Sequence, residues 1–400
     1  MKKLVILLLL LLPVAMLQAG VIPAFTNDVT TDQWSQKQSP SVLRIAPVLQ
    51  PFVDDHVLAG AVVLVANKEH VLALESVGYA DVVAKKPMRT DALFWIASMS
   101  KPITAAVLMV LVDEGKVQVD DPVEKYLPEF KTLMVKDKKD KHATPQPPKH
   151  PITIKNLLTH TSGMSFRSDF EKPTLDIGTL AERVSNYAAL PLEFEPDTQY
   201  QYSNAGINTV GRIVEVVSGM AYEKFLDERL LKPLGMKDTT FWPNAEQLTR
   251  LAKAYRGTKD KADIEETPID QLRYPLSDRT RGAIPAGGLF STASDVGRFA
   301  RMIANGGTFE GRRLLSETAV RAMTSKQTGP ALEQGYGLGF QTTGAKFGHL
   351  GKYGTNFSID TQHGLITVYM IQNAGWRNTD GNKIHPAFSK VATDTFSGAK

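Results

Sequence analysis

The chain has 400 residues, 46 of them Lys or Arg against 42 Asp or Glu, and no cysteine. A formal charge of +4 gives no nucleic-acid footprint, and a 42% hydrophobic content suits a soluble globular protein with a sizeable core. Without cysteine there is neither a disulfide nor the lipid-bearing residue of a lipoprotein.

Lys2 and Lys3 precede an apolar run from Leu4 to Leu12, and Ala19 and Gly20 follow, the pattern of a signal peptide over residues 1–19. Pro13 ends the run well short of the roughly 20 residues that span a bilayer, so no stable transmembrane anchor is expected. The expected location is the periplasm or the medium. A linker over residues 20–39 leads to one domain over residues 40–398.

In that domain Val42, Ile45, Leu49 and Phe52 recur at helical spacing. Ala61–Ala66 and Val71–Val77 flank a polar turn and read as a hairpin. A segment from Pro102 to Glu114, apolar nearly all round, predicts a buried helix starting near Ser98. The lysine- and proline-rich stretch over residues 131–150 predicts an exposed, mobile insertion. Helical spacing resumes from Ile207 to Val217, with Gly219 as the stop, and again over residues 225–231. Thr292 and Asp295 predict a capping box ahead of Val296, Phe299 and Ile303. Four strands are then expected over residues 336–343, 346–349, 356–360 and 365–372, with a closing helix from Ala387 to Phe396.

The fold class is therefore α/β in the α+β sense. A mainly antiparallel sheet is expected from residues of about 40–97 and 285–398, flanked by helices, with a large helical region inserted over about 98–284.

Three short motifs carry chemistry. Ser98-Met99-Ser100-Lys101 lies where the buried helix starts, and residues three apart share a helix face, so hydroxyl and amine can meet. Serine needs a base to become a nucleophile, and lysine serves once burial makes it neutral. S-x-x-K recurs by chance in most chains of this length, yet Lys101 sits among Ile96, Ile103 and Val107, where an idle charge is costly. In Tyr202-Ser203-Asn204, ahead of a helix, a phenol can relay protons and an amide can hold an acyl substituent. In His349-Leu350-Gly351, glycine permits close approach of the strand to a ligand. The remaining histidines show no metal-ligand spacing, and neither metal nor cofactor is expected.

In order and separation these motifs resemble the S-x-x-K, Y-x-N and H-x-G set of the serine β-lactamase and penicillin-binding-protein superfamily, in its class C-like branch. Residues 157–164 (LLTHTSGM), 233–239 (PLGMKDT), 285–292 (PAGGLFST) and 336–340 (YGLGF) extend the resemblance over most of the domain. It implies that Ser98 is acylated, that Lys101 and Tyr202 exchange its proton, and that Asn204 supports the lysine and the substrate amide. It also implies that His349 takes the third motif's place, and that the N–H groups of Ser98 and Lys352, just after Gly351, form an oxyanion hole. Histidine in place of the third-motif lysine resembles the DD-peptidases, D-aminopeptidases and esterases of the superfamily rather than its lactam hydrolases. The expected partner is a small ester or a peptide, such as one derived from the cell wall. A catalytically idle relative that binds peptides as sensor or scaffold is the competing reading. No G-x-S-x-G elbow is present for an α/β-hydrolase.

Overall fold

A computed structural model of the chain describes residues 44–136, 144–258, 263–376 and 379–398. The signal peptide and the linker expected from the sequence lie outside the described residues.

A seven-stranded antiparallel sheet organises the chain. Its N-terminal strands are β1 (Gly60–Ala66), β2 (Val71–Asp81) and β3 (Lys86–Pro87). The C-terminal strands are β4 (Gln341–Thr343), β5 (Lys346–Leu350), β6 (Asn356–Asp360) and β7 (Leu365–Met370). Their order is β4-β5-β6-β7-β1-β2-β3, so the two ends of the sequence meet where β7 pairs with β1. β1 is apolar at every position and buried at every position, as a central strand covered on both faces must be.

One face of the sheet carries helix α1 (Ala46–Asp54) and the C-terminal helix. Ile45 and Leu49 pack there with Val63, Val65, Tyr369, Ile384 and Phe388. The start of α1 is held from β2: the buried Glu75 carboxylate accepts the backbone N–H groups of Arg44, Ile45 and Ala46 at 2.8–3.0 Å. These donors have no partner within the helix, and a carboxylate also suits the positive end of its dipole.

The helical region lies between the two groups of strands. Helix α2 (Ser100–Asp113) follows a 3₁₀ turn over Ala97–Met99 and is buried from Ser100 through Leu111, which explains a sequence with no polar face. It packs against α5 (Asn204–Ser218), and α5 in turn packs against α3 (Ile154–Thr159) and α4 (Leu180–Ala188). Gly219 caps α5 with φ +69°, the left-handed conformation that favours glycine. Helix α6 (Ala293–Ala304) lies against β1, β6 and β7.

Several expectations change. Residues 336–340 form no strand, because the chain turns at Gly337 and Gly339 and only Gln341–Thr343 pairs along β5. Thr292 caps α6 through the Asp295 N–H, but the Asp295 carboxylate turns away to accept the Asp238 N–H at 2.8 Å and the Thr239 hydroxyl at 2.9 Å. The closing helix begins earlier, at Gly381. The charged insertion is paired with its surroundings at its base. Val135 and Gln146 exchange backbone hydrogen bonds, and Lys136 donates to the Leu192 carbonyl at 2.9 Å. The Lys136 bond reaches a segment more than fifty residues away in sequence and leaves no local pattern. Residues 137–143 of the insertion lie outside the described residues.

Candidate active site

The N-termini of α2 and α5 meet in one cleft beside the end of β5. Ala97 holds φ +44°, strained for a residue with a Cβ, and the chain turns there to present Ser98 at the edge of the cleft while its neighbours stay buried. At the start of α5 the Ser203 hydroxyl accepts the Gly206 N–H, and the Phe166 carbonyl accepts the N–H groups of Asn204 and Ala205. The helix end is satisfied by protein, which frees the side chains of Tyr202 and Asn204 to face Ser98.

Lys101 Nζ is the centre of the site. It lies 2.7 Å from Asn204 Oδ1, 2.7 Å from the Ala286 carbonyl oxygen and 3.2 Å from Ser98 Oγ. The Tyr202 ring covers it, with its centroid 4.6 Å from Nζ. Lys101 is 0% exposed and has no carboxylate partner among the described residues, so burial pulls its pKa well below the ordinary lysine value. The Tyr202 hydroxyl is hydrogen-bonded to Ser98, and burial pushes its pKa up while that bond opposes the rise. Ser98 thus stands between an amine and a phenol.

The acceptor at Ala286 is built with care. Thr104 donates to the Pro285 carbonyl at 2.7 Å, and Trp95 Nε1 donates to the Gly287 carbonyl at 2.8 Å. Asn208 Oδ1 accepts the Ala286 N–H at 3.0 Å, while its amide donates to the Tyr187 hydroxyl, which donates to buried Glu171. The sequence pattern had pointed to residues 285–292 only through family likeness. A backbone carbonyl leaves no residue-type signal, so its part in holding Lys101 could not be read beforehand.

The third motif closes the cleft from β5. Gly351 is essential to that approach: a Cβ there would lie 2.5 Å from the Ile96 carbonyl oxygen and 2.0 Å from Thr355 Oγ1. Lys352 follows in the turn, its side chain exposed. His349, expected to meet substrate, turns inward instead. It is 2% exposed, with Nε2 against the Tyr336 hydroxyl at 2.9 Å and Nδ1 against the Leu350 carbonyl at 2.7 Å. Burial pulls its pKa down to about 3. His160, in the T-H-T-S-G stretch, was missed as a site residue. It is fully buried with ring centroids 4.5 Å from Tyr202 and 4.8 Å from Tyr336.

The Beta-lactamase family model matches residues 45–386. The chain belongs to that family. Among its relatives, Protein Rv1367c of Mycobacterium tuberculosis is 33% identical over 85% of this chain and 93% of its own length. Esterase EstB of Burkholderia gladioli is 30% identical over 84% of this chain and 92% of its own length. The solved structure of EstCE1, a hydrolase with promiscuous acyltransferase activity, superposes with a TM-score of 0.73 at 23% identity, covering 88% of this chain and 97% of that one. This likeness establishes the shared fold, and the family is one of hydrolases with esterase and peptidase members. Among the described residues no cluster of His, Asp or Glu could hold a metal ion, and no helix is long and apolar enough to cross a membrane.

Proposed function

We propose that this protein is an exported serine hydrolase that cleaves esters through an acyl-enzyme on Ser98. One observation carries the reading: a buried lysine with two short bonds to acceptors and one longer contact to a serine hydroxyl. A neutral amine has two hydrogens and one lone pair. With its hydrogens on Asn204 Oδ1 and the Ala286 carbonyl, the lone pair of Lys101 faces Ser98 Oγ.

Ser98 Oγ then attacks the ester carbonyl carbon as its proton passes to Lys101 Nζ. The negative oxygen that develops is met by the backbone N–H groups of Ser98 and Lys352, each donor worth roughly 3 kcal/mol. The Tyr202 hydroxyl passes its proton to the departing alkoxide and recovers one from Lys101, so the C–O bond breaks with a neutral alcohol as product. Water reverses the sequence and frees the acid. Asn204 Nδ2 takes no protein acceptor among the described residues and is placed to donate to the acyl group.

The ester preference draws on the likeness to EstB over most of both chains and on the apolar rim of the cleft. Phe166, stacked 6.4 Å from the Tyr202 ring, is 45% exposed, and Leu350 is 52% exposed. Export draws on the basic and apolar residues that open the sequence.

The test combines p-nitrophenyl butyrate hydrolysis, release of D-alanine from a short peptide, and fluorophosphonate labelling with the adduct mapped by mass. An adduct on Ser98 with ester turnover supports the proposal. Peptide cleavage alone would replace the substrate class, and labelling without turnover would favour the binding role. An adduct on another residue would overturn the assignment. Lys101→Ala and Tyr202→Phe should each lower acylation by roughly 100- to 10,000-fold.

A further inference from the structure

We infer that His160 and Tyr336 are positioning residues, joined with His349 in a one-way hydrogen-bond chain that ties the Tyr202–Asn204 wall to the Leu350–Gly351 edge. The inference rests on the proposed role of that cleft, but the chain itself follows from donors and acceptors alone.

Its direction is fixed at one end by a backbone amide. The Ser203 N–H donates to His160 Nδ1 at 3.1 Å, so that nitrogen carries no proton. The His160 proton is therefore on Nε2, which donates to the Tyr336 hydroxyl oxygen at 3.2 Å. Tyr336 has one proton to give, and it goes to His349 Nε2 at 2.9 Å. His349 must then carry its proton on Nδ1, and this N–H donates to the Leu350 carbonyl at 2.7 Å. Reversing any bond sets two hydrogens or two lone pairs against each other. Protonating His160 does the same at Ser203, and burial is a second reason for both rings to stay neutral.

The chain begins between Tyr202 and Asn204 and ends on the peptide unit joining Leu350 to Gly351. That unit is gripped from both sides, its C=O by His349 and its N–H by the Thr355 carbonyl at 2.7 Å. The next peptide along carries the Lys352 N–H assigned to the oxyanion. His349 thus acts through the backbone, as a neutral dipole holding the strand edge.

His160 also occupies a position chosen against its backbone preference. It caps α3 in the left-handed conformation with φ +61°, where glycine carries no penalty. A side chain kept at a strained cap, with both ring nitrogens bonded, is one whose ring is needed there.

The experiment uses the full chain labelled with ¹⁵N-histidine. Imidazole nitrogen spectra at neutral pH, assigned with His160→Asn and His349→Gln, should show His160 protonated on Nε2 and His349 on Nδ1. Tyr336→Phe, which keeps the ring and removes the hydroxyl, should release His349 from its single tautomer. It should also lower kcat on p-nitrophenyl butyrate by roughly 10- to 100-fold, the size of losing an orienting partner behind a working group, with KM little changed. A wild-type His349 protonated on Nε2 would overturn the inference, as would folded Tyr336→Phe with full kcat. If Tyr336→Phe does not fold, His160→Asn, whose asparagine tolerates the left-handed cap, carries the kinetic arm. Should wild type lack both ester turnover and Ser98 labelling, the ester reading fails while the spectrum still decides the chain.

Discussion

Asn204→Asp is a near-isosteric change that isolates the charge state of Lys101. It replaces a neutral acceptor 2.7 Å from Nζ with a carboxylate. At that distance, with an effective dielectric of about 20, the attraction between ammonium and carboxylate is about 6 kcal/mol. One pKa unit corresponds to about 1.4 kcal/mol, so the amine's pKa rises by about four units. The lone pair facing Ser98 is then lost at neutral pH, and acylation should fall by at least roughly 100-fold, within the range expected for a lost general base. The sign is specific: raising the pKa of the base moves the acid limb of kcat/KM to higher pH, so activity should recover as the solution is made alkaline. Asn204→Ala removes the acceptor without adding charge and should lose activity with no such alkaline shift. Stopped-flow p-nitrophenyl butyrate hydrolysis across pH 6–11 reads both profiles. A folded Asn204→Asp enzyme with the wild-type pH dependence would refute the neutral-amine mechanism.

Gly351→Ala should lower both thermal stability and activity, because its Cβ meets backbone 2.5 Å away at Ile96, close to the nucleophile; overpacking of this kind costs about 1–3 kcal/mol, and an unchanged melting temperature with full turnover would contradict the packing. Glu75→Gln should destabilise the fold by about 1.5–3 kcal/mol, the worth of charged hydrogen bonds, because its carboxylate accepts three N–H groups at α1; kcat should not move, and denaturant melts with parallel kinetics check both halves. His349 has a folded pKa of about 3 against an ordinary value of 6.5, so the unfolded chain binds its proton first and this group's contribution falls as pH drops from 6.5 towards 3. Wild type should therefore lose stability relative to His349→Gln by about 1.4 kcal/mol per pH unit in that window, and a gap independent of pH would show that His349 titrates normally.

The fold was legible where a segment's own pattern decided its fate. β1 reads as a continuous apolar run and is buried on both faces, and α2 is apolar all round and buried accordingly. The antiparallel sheet built from both ends of the chain, and the meeting of Ser98, Lys101, Tyr202 and Asn204, follow the motifs. What stayed hidden depends on contacts between distant segments. The Ala286 carbonyl is invisible as a residue type. His160 lay in a stretch noted for likeness to the family and Tyr336 at the start of an expected strand, and 176 residues separate them. His349 was placed with the substrate because the family resemblance gives it the third motif's place, but strand alternation alone does not say that its ring turns to the buried side.

The state of Lys101 follows from the groups that surround it. Every polar atom it meets is neutral: the Ser98 hydroxyl, the Asn204 amide and a backbone carbonyl. An ammonium held there without a carboxylate would leave its charge uncompensated in a dry site. A neutral amine fits, since two firm acceptors take its two hydrogens. The nearest carboxylate on this network is Glu171, reached only through Tyr187, Asn208 and the Ala286 peptide. At that remove it can orient the carbonyl that grips Nζ without pairing with its charge. On the opposite wall, His160 and His349 supply dipoles in place of charges. The two polar chains thus solve one problem: they fix the position of a base while withholding the counterion that would make it an acid.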